Sequence, residues 1–156
     1  MDYLDSAAKD FVSQHMARCH CGAVAYAVGA PPRDAKICHC SDCRVLHGAP
    51  MQWAAIFRKE DVRFLRGGDR LRFYHAPSGE ARRELPCKVG CAVCGTWIAD
   101  EGRRMWLAFP TLFDFAEKVP ASFRPTCHIF YGERVIDVSD DLPKWQGHKD
   151  KSVRLR

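Results

Sequence analysis

The sequence lacks the features that would place it among membrane, secreted or disordered proteins. No apolar run approaches the roughly 18 residues that span a bilayer. The first residues, Met-Asp-Tyr-Leu-Asp, contain neither a basic n-region nor the apolar h-region of a signal peptide. Hydrophobic residues make up 47% of the chain and charged residues 28%, which is a globular composition without repeats or low-complexity blocks. We therefore expect a cytoplasmic protein that has no membrane partner.

A large excess of positive charge is also missing. The formal net charge is +5, and it would fall to +2 if seven cysteine thiolates bound two zinc ions. The sequence also lacks a long Lys/Arg tail and an aromatic RNA-binding signature. This charge pattern does not favour a nucleic-acid partner.

Cysteine, by contrast, is abundant. The chain has nine cysteines, an odd number, and most of them lie in tight clusters. Clustered thiols in a chain without a secretory signal usually bind metal, whereas disulfides are typical of secreted proteins. The cysteine pattern therefore predicts metal binding in a reducing compartment.

Short apolar runs separated by turn residues predict a mainly β protein with little helix. One short helix is expected to begin near Ser41-Asp42 and to end at Gly48, and a helical turn or two is expected around Ala7 to Met16. We expect a lead-in at 1–17, one zinc-binding domain at 18–145 and a polar tail at 146–156. The expected strands are 23–28, 35–38, 51–57, 62–65, 71–74, 81–85, 97–99 and 105–109.

Four cysteines in two distant pairs predict a closed metal site. Cys19-His-Cys21-Gly opens the expected domain, and Cys91-Ala-Val-Cys94-Gly lies about seventy residues downstream. Four thiolates complete a tetrahedral zinc site with no position open to substrate, so such a site is structural. In this arrangement the metal would connect distant segments of the chain much as a disulfide does. The alternative is two unrelated buried thiol pairs.

The middle cluster offers three ligands, Cys38, Cys40 and Cys43. Catalytic zinc commonly has three protein ligands and one open position. Such a site would suit the binding of an external thiolate. The alternative is a second structural site that is closed by His39, His47, His128, Cys87 or Cys127. Cys87 and Cys127 are otherwise expected to be small core residues.

Taken together, these motifs resemble the glutathione-dependent formaldehyde-activating family, which includes centromere-protein-V-like proteins. The pattern consists of Cys-His-Cys-Gly, Cys-His-Cys-Ser-Asp-Cys-Arg, Gly-Ala-Pro and Cys-x-x-Cys-Gly-Thr, with a late Cys127-His-Ile-Phe and Asp140-Asp-Leu-Pro. It extends from about Arg18 to Trp145. Family members often have Phe before the Cys-x-x-Cys motif, where this chain has Gly90.

The resemblance implies a tent-like β fold with two zinc ions per chain. It implies a structural zinc on Cys19, Cys21, Cys91 and Cys94, and a catalytic zinc on Cys38, Cys40 and Cys43. It also implies a carbon–sulfur lyase type of activity, in which glutathione condenses with formaldehyde to give S-hydroxymethylglutathione. The expected partners are therefore a small-molecule thiol and an aldehyde.

Several residues are candidates for this chemistry. His39 and His128 could meet the developing alkoxide, although a surface or supporting role is the ordinary expectation for each. Arg44 is the first candidate for a carboxylate of glutathione, and Trp53 could line the pocket. Asp42 is expected to cap the helix.

Two other functions fit the same sequence. One is a non-catalytic β binding module stabilised by zinc, which would bind protein or nucleic acid. The other is a zinc- or aldehyde-responsive protein whose exposed cysteines exchange metal. An enzyme should bind two zinc ions, one of them labile, and should bind glutathione.

Overall fold

In a computed structural model of the chain, the described residues are 3 and 11–155. Strand accounts for 36% and helix for 13%, and these residues contain one α-helix. The expectation of a mainly β fold is confirmed. The helix, α1, is Ser41–His47. The strands are β1 His15–Arg18, β2 Ala25–Val28, β3 Asp34–Cys38, β4 Gln52–Arg58, β5 Val62–Arg66, β6 Leu71–Tyr74, β7 Cys87–Cys91, β8 Trp97–Glu101, β9 Met105–Ala108, β10 Cys127–Ile129, β11 Lys144–Trp145 and β12 Arg154–Leu155.

The strands form two sheets. The larger sheet has nine strands in the order β12-β11-β10-β3-β4-β9-β8-β7-β6, and the smaller one has the order β1-β2-β5. Strand β10 runs parallel to both of its neighbours, whereas the other pairs are antiparallel. Because β3 and β7 both belong to the larger sheet, that sheet carries parts of both cysteine clusters.

Residues from both sheets share one hydrophobic core. The ring centroids of Tyr26 and Phe64, in the smaller sheet, each lie 5.7 Å from that of Trp106 in the larger sheet. Phe57 and Phe123 are fully buried nearby. Burial of large aromatic side chains dominates the stability of cores of this kind.

Helix α1 follows the expected boundaries closely. Cys40 is its N-cap, and its Sγ accepts a hydrogen bond from the Cys43 amide. Gly48 ends the helix with a left-handed backbone, φ 57°, which glycine adopts without steric penalty. The cap therefore lies one residue before the expected Ser41, and Asp42, which was also expected to cap the helix, lies in its first turn instead.

The strand expected at 81–85 is wrong. This segment contains bends and irregular backbone, and the next strand is β7, which was not predicted. The charged side chains form ion pairs instead: Arg82 pairs with Glu80 and Glu84. Pro86 then interrupts the chain immediately before β7, where proline removes a donor for sheet pairing.

The segments expected to flank the domain also contribute strands. His15 and Met16 belong to β1, so the described part of the segment expected to be helical is extended; Ala7 to Asp10 lies outside the described residues. In the expected tail, β12 pairs with β11. Within the described part of the chain, no helix is long and apolar enough to cross a membrane.

Candidate metal centres

The first cysteine cluster brings together two segments of the chain that are far apart in sequence. The sulfur atoms of Cys19, Cys21, Cys91 and Cys94 all lie within 4.8 Å of one another. The Sγ of Cys21 is 3.6 Å from that of Cys19 and 4.0 Å from that of Cys91. Tetrahedral zinc with Zn–S bonds of about 2.3 Å requires sulfurs roughly 3.8 Å apart. The four thiols therefore fit a zinc ion.

Each pair of cysteines lies on a tight backbone turn. The amide of Gly22 donates to the Cys19 carbonyl, and the amide of Gly95 donates to the Cys91 carbonyl, both at 3.0 Å. Both glycines have positive φ, 74° and 80°, which side chains other than glycine rarely tolerate. These turns direct two sulfurs of each motif towards the same point.

The side chains of two arginines donate hydrogen bonds to the backbone of these turns. Arg66 Nε donates to the Gly22 carbonyl at 2.7 Å, and Arg72 Nη2 donates to the Gly95 carbonyl at 2.6 Å. The Arg72 guanidinium also lies 4.1 Å from the centroid of the Trp97 ring. These two arginines therefore support the backbone turns of the cluster.

The Arg72–Trp97 stack explains why Gly90 stands before the Cys-x-x-Cys motif. Gly90 is the register partner of Arg72 on one side and of Trp97 on the other. A Cβ at Gly90 would lie 2.9 Å from Arg72 Nε and 3.0 Å from Trp97 Cε3. The space that a larger residue would need is therefore already occupied.

The second cluster lies where β3 meets helix α1. The sulfurs of Cys38, Cys40 and Cys43 lie within 4.8 Å of one another, and no fourth His, Cys, Asp or Glu of the described chain joins them. Hydrogen bonds from the thiols of Cys38 and Cys43 lower the pKa of Cys40 to about 2. The cluster thus favours a thiolate, the form that binds metal, and this donor set also fits zinc.

A buried polar network lies directly against this cluster. Lys88 is 6% exposed, and its Nζ donates to Cys43 Sγ at 3.5 Å and to Gln52 Oε1 at 2.9 Å. The same Nζ lies 2.8 Å from Asp100 Oδ1, while Gln52 Nε2 donates to Asp100 Oδ2 at 2.8 Å. Burial disfavours the charged form of Lys88, but Asp100 and Cys43 outweigh this effect and raise its pKa. Lys88 therefore carries a fixed positive charge beside the sulfurs.

The sequence interpretation missed this network because β7 itself was missed. A lysine flanked by Cys87 and Val89 in a short apolar strand was the available signal. A charged residue in such a strand must be paired if it is buried.

A pocket of about 390 Å³ opens beside the second cluster. Cys40, Cys43 and Lys88 form part of its wall, so two of the three cysteines and the buried lysine border one space. The other lining residues are Asp42, Ala76, Pro77, Pro86, Cys87, Asp100, Gly102, Leu107 and His148.

His39 and His128 form a buried pair behind the cluster. His39 Nε2 lies 2.8 Å from His128 Nδ1, and His128 Nε2 donates to Asp140 Oδ2 at 2.9 Å. Both rings are fully buried. Burial, together with the neighbouring His128, lowers the pKa of His39 to about 4, so this ring is neutral near pH 7. His39, His128 and Asp140 come from three motifs that are separate in sequence, and they are thus connected by one series of hydrogen bonds.

The remaining candidates lie away from the pocket wall. Neither histidine of the buried pair lines the pocket, and neither do Arg44 and Trp53. Arg44 Nε donates to the His39 carbonyl at 3.0 Å, and Trp53 Nε1 donates to the Phe123 carbonyl at 3.0 Å. Cys127 is buried in β10 outside both clusters, and Cys87, also outside both, is buried at the pocket wall.

The fold and the two thiol clusters define a class of β proteins whose cysteines can hold zinc. Comparison with protein families makes the assignment specific: the model described as glutathione-dependent formaldehyde-activating enzyme matches residues 14–133. The chain belongs to this family of enzymes, which act on formaldehyde with glutathione.

The comparison with solved structures gives a similar protein of unassigned name. It is a Rhodobacter sphaeroides protein whose crystal structure was determined as a structural genomics target, with 25% sequence identity and a TM-score of 0.51. The match covers 67% of this chain and 91% of that one. No curated protein matches the chain.

Proposed function

We propose that this chain condenses glutathione with formaldehyde or a related aldehyde at the three-cysteine cluster, giving S-hydroxymethylglutathione or its analogue. One observation carries the proposal: the sulfurs of Cys38, Cys40 and Cys43 lie together, and two of these cysteines line a pocket that Lys88 also lines. Glutathione and formaldehyde are considered first because they are the substrates of the family to which the chain belongs.

We assign different roles to the two clusters. Cys19, Cys21, Cys91 and Cys94 would hold a structural zinc, because four thiolates leave no coordination position for substrate. Cys38, Cys40 and Cys43 would hold a second zinc with one position open. Zinc bound there would lower the pKa of a substrate thiol that occupies the open position.

The residues of the protein would position the two substrates and stabilise the charge that forms on the carbonyl oxygen. The reaction forms a bond between the thiol sulfur and the carbonyl carbon, while the π electrons of the carbonyl move to its oxygen. The proton lost by the thiol is balanced by the proton that this oxygen gains. Lys88 is the donor best placed to stabilise the developing negative charge, because the residue lines the pocket and its ammonium group is held by Asp100 and Gln52.

The other candidate residues receive supporting roles in this proposal. His39 and His128 would position the loop that carries Cys38 and Cys40, since both rings are buried away from the pocket. Arg44 remains our proposed partner for a glutathione carboxylate outside the pocket, and Trp53 stabilises the sheet through Phe123.

The test combines metal content with turnover. Zinc per chain is measured by mass spectrometry, and the exchange between glutathione, formaldehyde and S-hydroxymethylglutathione is followed by NMR. We expect two zinc ions per chain and catalysed exchange in the native protein. Cys40→Ser should lose one zinc and the catalysed exchange, whereas the matched control Cys127→Ser, outside both clusters, should retain both.

Two results would contradict this proposal. One is exchange no faster than the uncatalysed reaction in protein that contains two zinc ions. The other is full activity in Cys40→Ser.

A further inference from the structure

The pocket beside the three-cysteine cluster is larger and more apolar than formaldehyde requires. Its volume of about 390 Å³ corresponds to the space of roughly ten water molecules, whereas formaldehyde has only two heavy atoms. Much of the wall away from the sulfurs is uncharged and mostly hydrocarbon: Ala76, Pro77, Pro86, Gly102 and Leu107.

The charged groups of the pocket are concentrated around the cluster. The ammonium of Lys88 is already paired with Asp100, Asp42 adds a second carboxylate to the wall, and His148 is the one histidine of the described chain that lines it. Among the residues that the structure describes, no arginine lines the pocket. A second carboxylate-bearing molecule would find little compensation here, whereas a neutral molecule with an apolar body would match the wall.

We propose that this pocket binds the hydrocarbon substituent of an aldehyde larger than formaldehyde, so that the preferred carbonyl substrate is an apolar aliphatic aldehyde. The inference rests on the proposed function for the identity of the reaction. The carbonyl lies towards Lys88 and the sulfurs, and the hydrocarbon lies against Leu107 and the two prolines. As with formaldehyde, a carbon–sulfur bond forms, the π electrons move to oxygen, and the thiol proton is transferred to that oxygen; the product is a hemithioacetal.

Hydrophobic burial gives this preference an expected size. Each methylene transferred from water into an apolar site tightens binding about fourfold. A six-carbon carbonyl compound should therefore bind at least about thirtyfold more tightly than a two-carbon one, even if only part of the added chain is buried. The gain should stop once the hydrocarbon outgrows the pocket.

Binding is measured with unreactive carbonyl probes, so that the readout does not depend on turnover. Acetamide and hexanamide are titrated by NMR into the zinc-loaded protein, and the ratio of their dissociation constants is determined. Leu107→Asn should reduce this ratio at least fivefold. The matched control Leu65→Asn, on strand β5 and remote from the pocket lining, should leave the ratio unchanged.

Turnover with hexanal and with formaldehyde separates this inference from the proposed function. If glutathione reacts with formaldehyde but hexanamide binds no more tightly than acetamide, the inference is overturned and the proposed function stands. If hexanamide binds with the expected preference but neither aldehyde reacts, the pocket preference stands and the proposed reaction is wrong. Equal ratios in native protein and Leu107→Asn also overturn the inference.

Discussion

The buried histidine pair provides the sharpest test of how the second cluster is held. His128 bridges His39 and Asp140, and its ring is completely buried. The substitution His128→Ala would remove both hydrogen bonds and leave the His39 ring buried without its partner. The Nδ1 atom of His39 is itself already buried without a hydrogen-bond partner in the described structure, so the ring has no second hydrogen bond that could compensate.

The expected loss of stability follows from these contacts. An unpaired buried polar group costs about 1–3 kcal/mol, and the space left by the removed ring adds about 1 kcal/mol. The total, about 3 kcal/mol, corresponds to a fall in Tm of about 10 °C for a protein of this size. We would measure it by thermal unfolding in the presence of excess zinc, so that loss of metal does not dominate the result.

A second readout distinguishes positioning of the cluster from general stability. His39 lies between Cys38 and Cys40, so loss of its partner should weaken zinc binding at the second cluster by about 10- to 100-fold. Binding at the four-cysteine cluster should not change. Competition with a chromophoric chelator reports both sites on the same sample.

Conservative variants test which contact matters. His128→Asn retains an amide near the position of Nδ1 and can still pair with His39, whereas His128→Gln extends towards Asp140 instead. We expect Asn to restore zinc binding better than Gln. If His128→Ala changes Tm by less than about 2 °C and leaves both zinc affinities unchanged, the positioning role is wrong.

Three further predictions concern the other contacts. Cys94→Ser should release one zinc and destabilise the fold by several kcal/mol, because structural zinc contributes folding energy directly; chelator-dependent unfolding checks this, and unchanged stability would refute it. Gly90→Ala should destabilise the protein by about 1–3 kcal/mol through contact with Arg72 and Trp97, as measured by urea unfolding, with Gly102→Ala as the control. Lys88→Met should destabilise the protein by about 3 kcal/mol, because it leaves the largely buried Asp100 carboxylate without its ammonium partner; restoration of stability in Lys88→Met/Asp100→Leu would support this reason.

The sequence predicted the parts of the fold that depend on local pattern. Helix α1 was predicted from Ser41-Asp42 and Gly48, and most strands from short apolar runs between turns. The segment 81–85 was misassigned as a strand: Arg82 pairs with Glu80 and Glu84, and Arg83 pairs with Glu101 of β8. These ion pairs depend on the folded arrangement of the chain, which the local pattern of residues does not encode.

The candidate site was predictable only as far as the cysteines. Their spacing and the family resemblance suggested two groups, and the sulfurs do lie in these two groups. The partners of the cysteines were not predictable, because they come from strands distant in sequence. Lys88 contacts Cys43 across 45 positions and His128 contacts His39 across 89. Such contacts depend on strand order, which motif spacing does not encode.

The distribution of buried polar groups distinguishes the two clusters physically. The four-cysteine cluster is supported by backbone turns and by arginines whose contacts are exposed, an arrangement with a small desolvation cost. The three-cysteine cluster has the buried Lys88 network on one side and the buried histidine pair on the other. Taking such groups out of water is costly unless they are fully paired. The four-cysteine cluster is formed without such buried groups, and this difference supports our proposal that the reaction takes place at the three-cysteine cluster.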